Sequence, residues 1–414
     1  MKKLKWLYPG MLIKRWISLS VFGILMISMG FVMVLSERNS ENRAIAGLII
    51  VFGIMLIIVA VKRILRSFMT VLMPDRGEDA LVDRIFEKRI LEKGPKIVVI
   101  GGGTGLSTLL TGLKHKTGNL TAIVTVADDG GSSGRLREEF GVLPPGDIRN
   151  CLVALSDSED LLGALFQFRF KEGAGLEGHS FGNLFITALS QVTGDFAKAI
   201  KESSKVLAIR GNVYPATLEK VKLKAIRRDG REIEGECHIR ETSGSQIENL
   251  SLIPADCKAT QESVEAIKEA DAIVLGPGSL YTSVMPNLLI EGIQEEVSRS
   301  KAAKIYVCNV MTEPGETDDL SVKEHVNAII RHTRDGVVNH CIANVSRIPK
   351  DLYERYMGEG KFPVKLDESD EAWFKNNRVK LVKARIASIK EFVRHDPESL
   401  SDAIMNIITE YGRK

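Results

Sequence analysis

The chain has 414 residues, 44% of them hydrophobic and 26% charged, which is typical of a globular protein with two domains or one large domain with additions. Its formal net charge of +3 is nearly balanced, so we expect no nucleic-acid partner. The five cysteines are scattered without C-x-x-C spacing, which argues against a zinc site or a disulfide framework and suits reduced thiols on a cytosolic face.

Two uncharged, mostly apolar runs occupy the N-terminal part of the chain, at about residues 16–35 and 44–61. Each run is close to the roughly 20 residues that a helix needs to cross a bilayer. Five basic residues precede the first run and three follow the second, which places both ends in the cytoplasm. A signal peptide is the alternative, but it has one apolar run and a cleavage site of small residues. We therefore predict a transmembrane helical hairpin over residues 1–66, in a multi-pass protein of the cell membrane whose soluble domain is cytoplasmic.

Residues 67–95 read as a linker, because proline and glycine occur near both of its ends. Within it, Glu78–Lys93 has apolar residues at helical spacing and mixed charges elsewhere. This pattern predicts an amphipathic helix along the membrane or the soluble domain, or a plain solvated linker helix. Residues 96–414 then form the predicted soluble α/β domain.

The soluble domain begins with two short runs typical of buried strands, Lys96–Ile100 and Thr121–Val126. The first run leads at once into a loop of small residues: Gly101, Gly102, Gly103, Thr104 and Gly105. A helix is predicted to follow over Leu106–Leu113. Strand, glycine turn and helix is the context in which free N–H groups at a helix start bind a phosphate. We therefore predict a nucleotide site at the carboxyl edge of a mostly parallel, Rossmann-like sheet flanked by helices.

The glycine loop matches neither standard phosphate-binding motif completely. Thr108 stands where G-x-G-x-x-G has its third glycine, and no G-K-[ST] follows as in a P-loop. A tight structural turn is the alternative reading. The imperfect fingerprint also counts against a nicotinamide-dependent oxidoreductase, which the Rossmann-like start would otherwise suggest.

The second strand leads into a loop rich in acids, hydroxyls and glycines, with the candidate ligand-binding residues Asp128, Asp129, Gly131, Ser132, Ser133 and Arg135. Hydroxyls and backbone amides can donate to phosphate or sugar oxygens, and an arginine can contact a diphosphate with two hydrogen bonds. The two aspartates can bind a ribose, or a divalent ion such as Mg²⁺ that bridges phosphates. The alternative is a surface loop in which Arg135 pairs with Glu138 or Glu139.

Three more segments are predicted to line the same pocket. They contribute Asp147, Arg149, Asn150, His179, Ser180, Asn183, Gly276, Gly278, Ser279 and Tyr281. The first follows a Pro-Pro-Gly-Asp turn, the second is flanked by glycines, and the third follows the apolar strand Ala272–Leu275. The alternatives are helix capping by Asp147, a core position for His179 and simple packing by Tyr281.

Three isolated candidates complete the set of ligand-binding residues. Asn309 ends the predicted strand Lys304–Asn309, Tyr356 can stack on a ring, and Arg394 can contact an anion. A surface ion pair with Asp396 is the alternative for Arg394. No catalytic residue is assigned, because the chain has neither a Ser-His-Asp order nor a nucleophile elbow.

The pattern changes to short alternating runs over Gly211–Arg240, where Asp229-Gly230 between flanking strands is a hairpin signal. We predict a β-meander inserted in, or added to, the main sheet. Later strands are predicted at Lys361–Lys365 and Val379–Arg385.

Five motifs carry a family resemblance: IGGGTGLSTLLTGLK, AIVTVADDGGSSGRLR, PPGDIRN, GHSFGNL and GPGSLYTSV. With them, the sequence resembles the YvcK/CofD-like family from about Lys96 to Arg394, and more closely its YvcK branch, often called gluconeogenesis factor. The resemblance implies a Rossmann-like fold and binding of UDP-sugars such as UDP-N-acetylglucosamine. It also implies a role in cell shape, wall-precursor supply and growth on gluconeogenic carbon. Members of this branch are usually soluble, so the hairpin is a departure.

Two functional hypotheses remain open. In the first, a non-catalytic regulator binds a UDP-sugar, is anchored in the membrane, forms a homo-oligomer and acts through cell-wall or signalling proteins. In the second, the protein is a metal-dependent transferase resembling 2-phospho-L-lactate transferase. A divalent ion on Asp128 or Asp129 would then neutralise a diphosphate, because such chemistry relies on positioning and charge stabilisation.

Overall fold

The computed structural model describes residues 13–36, 39–72, 89–157, 160–242, 244–389 and 392–413. It consists of two compact units, Met1–Arg89 and Ile90–Lys414, which are described separately. Most of the linker segment predicted as an amphipathic helix lies outside the described residues, as does most of the basic segment before the first apolar run.

The N-terminal unit is a hairpin of two helices, α1 (Ile13–Ser36) and α2 (Ser40–Leu72). Each helix contains a stretch that is long and apolar enough to cross a membrane, Lys14–Ser36 and Glu41–Ser67. Many of the large apolar side chains of this unit point outward, as expected of helices that face lipid.

The two helices approach each other at small residues. A Cβ atom added to Gly23 would lie 2.8 Å from the carbonyl oxygen of Gly53, and one added to Gly53 would lie 2.8 Å from that of Gly23. Ala46 and Ala60, seven residues to either side of Gly53, are fully buried. Small residues at such a contact allow helix backbones to pack closely without a hydrophobic driving force.

The C-terminal unit is built on a seven-stranded sheet in which every neighbouring pair is parallel. In chain order the strands are β1 (Ile97–Gly101), β2 (Leu120–Val124), β3 (Asn212–Pro215), β7 (Ala272–Leu275), β8 (Ala303–Val307), β9 (His340–Asn344) and β10 (Lys380–Ala384). Their spatial order is β10-β9-β8-β7-β1-β2-β3. The central strands are buried along their whole length, as parallel strands covered on both faces must be.

Helices flank this sheet, which confirms the predicted Rossmann-like α/β architecture. They are α3 (Gly103–Leu113), α4 (Gly131–Phe140), α5 (Gly146–Leu155), α6 (Asp160–Gln167), α7 (Phe181–Thr193), α8 (Phe196–Val206), α9 (Glu236–Glu241), α10 (Gln261–Glu269), α11 (Met285–Leu288), α12 (Ile293–Arg299), α13 (Val322–His332), α14 (Lys350–Gly358), α15 (Glu368–Asn376) and α16 (Pro397–Tyr411). A π-helical turn, Leu280–Val284, precedes α11.

The strand order places the predicted loops beside one another. From β1 the chain moves outward through β2 and β3, and it later returns to pair β7 with the other edge of β1. Ligands of such sheets bind outside the carboxyl ends of the strands, at the point where the order reverses. Here that point lies between the loop after β1 and the loop after β7, and the N–H of Gly276 donates to the carbonyl of Ile100 at 2.9 Å.

The predicted β-meander is wrong in its strand order. Strands β4 (Lys222–Arg227) and β5 (Glu232–Glu234) form the expected antiparallel hairpin, but α9 then replaces the third successive strand. As a result β6 (Ile247–Ile253) pairs with the other edge of β4, in a separate sheet of order β5-β4-β6.

The late strands are confirmed only in part. The run predicted at Val379–Arg385 is β10, but Lys361–Lys365 is not a strand and makes one isolated bridge, between Pro363 and Met311. Pro363 lacks the N–H that a regular ladder requires. Two short strands, β11 (Ala387–Ile389) and β12 (Val393–His395), form an antiparallel pair before α16.

The glycine contact between α1 and α2 gives a direct prediction. Gly53→Val should separate the two helices, because overpacking of this kind costs about 1–3 kcal/mol. Gly47→Val is the matched control, since no atom lies within 4 Å of a Cβ placed there. The distance between spin labels at the exposed positions Leu25 and Met55 would be measured in the full chain, with the half-buried Cys237 replaced by serine. The same distance distribution in both glycine variants would contradict the contact.

Candidate functional site

The first glycine loop is packed against other parts of the protein. A Cβ at Gly102 would lie 2.6 Å from Oδ2 of Asp147, and one at Gly105 would lie 2.6 Å from the carbonyl oxygen of Pro277. Two of these glycines are therefore required by contacts within the chain. Gly103 has φ of +68° and is half-buried, and the following Thr104 is exposed. The start of α3 at these two residues is therefore open to an anion.

Asp147 ties this loop to the start of a second helix. It lies in the first turn of α5 and accepts a hydrogen bond from the N–H of Gly103 at 2.8 Å, without capping its own helix. Burial raises the pKa of Asp147 to about 6, nearby Asp128 adds to the shift, and the bond from Gly103 opposes it.

The two neighbouring aspartates of the second loop have different surroundings. Both oxygens of Asp129 accept backbone N–H groups at the start of α9, from Glu236 and Cys237, each at 3.0 Å. Asp128 accepts from the N–H of Gly130 at 2.9 Å, in a local turn. Asp129 therefore anchors the inserted segment, and Asp128 is the carboxylate nearer the other acids of the pocket.

The Asp128–Asp129 pair was expected to hold Mg²⁺, and both of its side chains also hold backbone N–H groups: Asp129 those of Glu236 and Cys237, and Asp128 that of Gly130. Across the described ranges, no group of three or more His, Cys, Asp or Glu residues is arranged to hold a metal ion. We therefore derive no step through a metal.

A buried polar network joins three of the predicted segments. Ser132 Oγ lies 2.9 Å from His179 Nδ1 and accepts from Asn183 Nδ2 at 3.0 Å. Arg149 Nη1 donates to Asn183 Oδ1 at 3.1 Å and to Ser180 Oγ. Burial, with help from the charge of Arg135, lowers the pKa of His179. Nδ1 of the neutral ring can then accept a hydrogen bond from the hydroxyl group of Ser132.

These contacts bring four helix starts together at the carboxyl edge of the sheet. Asp147 links α5 to α3, and Arg149 links α5 to Ser180, which caps α7. Ser132, in the first turn of α4, bonds to Asn183 of α7. Ser133 lies so close to Gly146 at the start of α5 that a Cβ there would be 2.4 Å from its hydroxyl. Each helix start carries a partial positive charge, so their convergence favours an anion.

Arginine adds full positive charge to these helix starts. Arg149 is 7% exposed, also donates to Asn150 Oδ1 at 2.8 Å, and its Nε has no acceptor in the described part of the chain. Arg135 is exposed and donates to the carbonyl of Glu177 at 2.8 Å, which ties α4 to the segment before α7. Gly131 has φ of +48°, and no atom lies within 4 Å of a Cβ placed there.

A second group of polar side chains, which we call the second wall of the candidate site, follows β7 and β8 and consists of hydroxyl, amide and carboxylate groups. Ser279 Oγ donates to Glu313, which also accepts from Asn309 Nδ2 at 3.2 Å. Thr282 Oγ1 donates to the buried Glu316 at 3.1 Å. Burial raises the pKa of Glu316 to about 8, with the charge of Glu313 as the second cause.

Sequence reasoning missed Arg240 and the acids around it. Arg240 of α9 lies 3.7 Å from Glu236 and 3.7 Å from Glu316, so one guanidinium stands between two buried carboxylates. Burial raises the pKa of Glu236 well above its ordinary value, and Asp128 and Asp147 add to this shift. Glu313 and Glu316 could have been predicted as site residues, because their loop follows β8 and so lies at the carboxyl edge of the sheet. Arg240 gave no such signal, since its helix was expected to be a strand.

Arg227 fixes the other end of the helix that carries Arg240. Its guanidinium is 1% exposed and donates to the carbonyls of Ser245, Ile239, Thr242 and Gly315. Helix α9 is thus held at its start by Asp129 and at its end by Arg227. The bond to Gly315 also connects α9 to the loop that contains Glu313 and Glu316.

The remaining predicted residues lie in structural surroundings, and their roles in binding stay predictions. Tyr281 is buried and packs edge-on against His332, with 6.1 Å between ring centroids. The hydroxyl of the buried Tyr356 accepts from the N–H of Val393 at 3.0 Å. The guanidinium of Arg394 lies 5.1 Å from the ring centroid of Phe392.

Replacement of Arg227 tests the clamp on α9. Arg227→Met should lower the free energy of unfolding by about 3 kcal/mol or more, because four backbone carbonyls, two of them in buried contacts, lose a charged donor. Arg228→Met is the matched control, since Arg228 is exposed. Chemical unfolding gives the stability, and hydrogen exchange should show loss of protection in residues 236–242. Equal protection in both variants would contradict the clamp.

Glu316 gives a pH dependence of stability. Its pKa in the folded protein, about 8, lies above the ordinary 4.5, so the folded state binds the proton more tightly. Stability should therefore fall as pH rises from 4.5 to 8, and Glu316→Gln should flatten this slope. About 1 kcal/mol shifts the Tm of a large domain by roughly 2 °C, which thermal scans at pH 5 and pH 8 resolve. Glu248→Gln, at an exposed glutamate, is the control and should keep the wild-type slope.

Comparison with known proteins identifies relatives of this chain. The sequence model of the family described as 2-phospho-L-lactate transferase CofD matches residues 97–387. A Bacillus subtilis protein named gluconeogenesis factor is 46% identical over 317 residues, which cover 76% of this chain and 99% of the relative. A crystal structure of a upf0052 family member from Bacillus halodurans is 46% identical and has a TM-score of 0.72. The structural match covers 76% of this chain and 99% of the Bacillus halodurans chain.

Other relatives match nearly the whole chain. A Nostoc sp. protein is 47% identical, and the match covers 97% of this chain and 91% of the relative. A Clostridium acetobutylicum protein is 43% identical, and the match covers 100% of this chain and 94% of the relative. Some relatives therefore share the N-terminal part, whereas the Bacillus subtilis relative, matched over 99% of its length by 76% of this chain, has little that corresponds to it. With relatives named gluconeogenesis factor at 43–47% identity and the CofD match, the chain belongs to the CofD/YvcK family.

Proposed function

We propose that this protein is a regulator that binds a UDP-sugar, such as UDP-N-acetylglucosamine, across the four converging helix starts. The observation that carries the proposal is this convergence of α3, α4, α5 and α7, joined by Asp147, Arg149 and Ser132. The diphosphate of a nucleotide sugar carries negative charge that fits helix starts and the two arginines beside them.

The second wall suits the sugar part of such a ligand. Hydroxyl groups of a sugar both donate and accept, and carboxylates such as Glu313 are acceptors for them. Ser279 and Asn309 are held by Glu313, so their positions are fixed before a ligand arrives. Such preorganisation reduces the ordering cost of binding.

The surroundings of the candidate acid–base groups favour binding over catalysis. His179 Nδ1 lies 2.9 Å from Ser132 Oγ, and each carboxylate oxygen of Asp129 accepts one backbone N–H group. General acid–base catalysis needs a group within reach of a substrate proton. Both side chains have structural partners within the protein, and this supports the binding proposal.

A transferase is the second candidate function, and the match to the family described as 2-phospho-L-lactate transferase favours it. Transfer of a phosphoryl-type group needs positioning and charge stabilisation more than a nucleophile. Incubation with a guanylyl- or uridylyl-activated donor, with and without Mg²⁺, tests it by mass spectrometry. A metal-dependent product that Asp128→Asn abolishes would support this candidate.

We propose that the protein performs this function at a membrane. The two apolar helices are each long enough to cross a bilayer, and they would anchor the domain at the cytoplasmic face. The name gluconeogenesis factor of the relatives supports a role in growth on gluconeogenic carbon. We further propose that the protein acts on cell shape and wall-precursor supply through cell-wall or signalling partners.

Calorimetric titration of the full chain in detergent with UDP-N-acetylglucosamine tests the proposal. Arg135→Gln should weaken binding by about tenfold or more, because a charge-assisted hydrogen bond contributes about 1.5–3 kcal/mol. Lys301→Gln is the matched control, since Lys301 is an exposed cation just before β8, at the amino end of the sheet. No binding heat at millimolar ligand would refute the UDP-sugar proposal.

A further inference from the structure

One end of the N-terminal hairpin is strongly basic. Lys14 and Arg15 lie at this end of α1, Lys62 and Arg63 lie at this end of α2, and all four side chains are exposed. We call these four residues the basic collar. Among the described residues of the two helices, the only acid is Glu41, which lies in the first turn of α2 at the opposite end. In the described part of the hairpin, no carboxylate therefore lies beside the collar.

The packing of the two helices brings the collar together. A Cβ atom added to Gly23 would lie 2.8 Å from Cγ1 of Ile57. Seven residues earlier on α1 and six residues later on α2, the guanidinium carbon of Arg63 lies 5.4 Å from the ring centroid of Trp16. The antiparallel contact therefore continues to this end of the hairpin. The other members of the collar adjoin Trp16 and Arg63 in the sequence, so the charges of both helices lie at one level.

The contact between Arg63 and Trp16 suits a phosphate ligand. Trp16 is half-buried, and tryptophan is typical of the boundary between lipid headgroups and acyl chains. A guanidinium that stacks on an aromatic face keeps N–H donors along its planar edge, and this edge matches a phosphate with two parallel hydrogen bonds. Arg63 is therefore held at headgroup level with donors that fit a phosphodiester.

Apolar side chains continue from the collar along the hairpin. Ile17 and Val21 of α1 are 39% and 50% exposed, and Val59 and Val61 of α2 are 39% and 46% exposed. A free phosphate ion would gain nothing from these side chains. A phospholipid can place its acyl chains against them while its phosphate contacts the collar, so the combination fits a lipid better than a soluble anion.

We propose that the basic collar binds the headgroups of anionic phospholipids such as phosphatidylglycerol. This inference rests on the proposed placement of the hairpin in a membrane. Lysines and arginines next to a membrane span attract anionic lipids, and the attraction grows with the number of cations. The opposite end carries Glu41 and Arg43, one charge of each sign among its described residues, and does not share this preference. The hairpin thus selects its lipid neighbours in addition to anchoring the C-terminal unit.

Native mass spectrometry of the full chain in detergent, titrated with phosphatidylglycerol or phosphatidylcholine, tests the proposal. The wild type should bind the first phosphatidylglycerol with a dissociation constant about tenfold lower than that for phosphatidylcholine, because several cations contribute. Arg63→Gln should raise the dissociation constant for phosphatidylglycerol by about fivefold, the share of one cation. Arg63→Lys keeps the charge and should stay within about twofold of the wild type.

Arg43→Gln is the matched control, because it removes one exposed arginine from the opposite end of α2. This variant should bind both lipids like the wild type, and equal far-UV circular dichroism verifies that all variants are folded. Equal dissociation constants for the two lipids, or equal losses in Arg43→Gln and Arg63→Gln, would overturn the proposal. Glycerol phosphate has a phosphate but no acyl chains. If it displaced phosphatidylglycerol at equal concentration, the collar would be a site for a free anion and the lipid proposal would be wrong.

Flotation of the full chain with phosphatidylcholine vesicles separates this inference from the membrane placement. A chain that does not float with the vesicles refutes the placement, and the lipid site is refuted with it. A chain that floats but does not prefer phosphatidylglycerol overturns the lipid site and leaves the placement intact.

Discussion

The hydrogen bond from the Gly103 amide to the Asp147 carboxylate is the contact on which the candidate site depends. It joins the loop after β1 to the start of α5, and thereby sets how closely the first two helix starts approach. Gly102 makes the bond feasible, because any side chain there would collide with Asp147. The buried carboxylate has a raised pKa, so this contact is held against a cost of desolvation.

There is a physical reason why aspartate and glutamate side chains lie beside the four helix starts, even though helix starts attract anions. Four helix starts, each equivalent to roughly half a positive charge, repel one another when they converge. Asp147 and Asp128 offset this repulsion. The pKa of Glu236 is raised first by burial and further by the charges of these two aspartates. Arg240, 3.7 Å from both Glu236 and Glu316, limits the excess of negative charge on the other wall. The charges of these groups are thus balanced, and in the proposed function a diphosphate would join them.

The sequence predicted the parts of the site that depend on local pattern and on the parallel sheet. Strand, glycine loop and helix at Gly101–Gly105 are encoded within a dozen residues. The meeting of this loop with Gly276–Gly278 follows because parallel strands place their carboxyl ends at one edge. The separate halves of the polar network, Ser132 and His179, were likewise each marked by small flanking residues.

The parts that escaped prediction depend on contacts between distant segments. Asp129 caps a helix more than a hundred residues later, and Arg227 joins that helix to Gly315. Helix α9 has only six residues within an alternating stretch, so periodicity could not separate it from a strand. A fully buried arginine also leaves no mark in a sequence, because its partners are backbone carbonyls that any residue can offer. The roles of α9 and Arg240 therefore required the structure.

Some relatives match the whole chain and others match only the C-terminal unit, so the N-terminal hairpin and the candidate site can be considered separately. The Bacillus subtilis relative is matched over 99% of its length by 76% of this chain, so it contains little beyond the region that forms the site. The relatives that match nearly all of this chain share the N-terminal part as well. The helices of the hairpin contact each other through Gly23 and Gly53 and turn large apolar side chains outward. The described helices of this unit present mainly apolar side chains, whose physical contribution is an affinity for an apolar environment. In the proposed function, the hairpin therefore bears on where the C-terminal unit works, and the converging helix starts bear on what it binds.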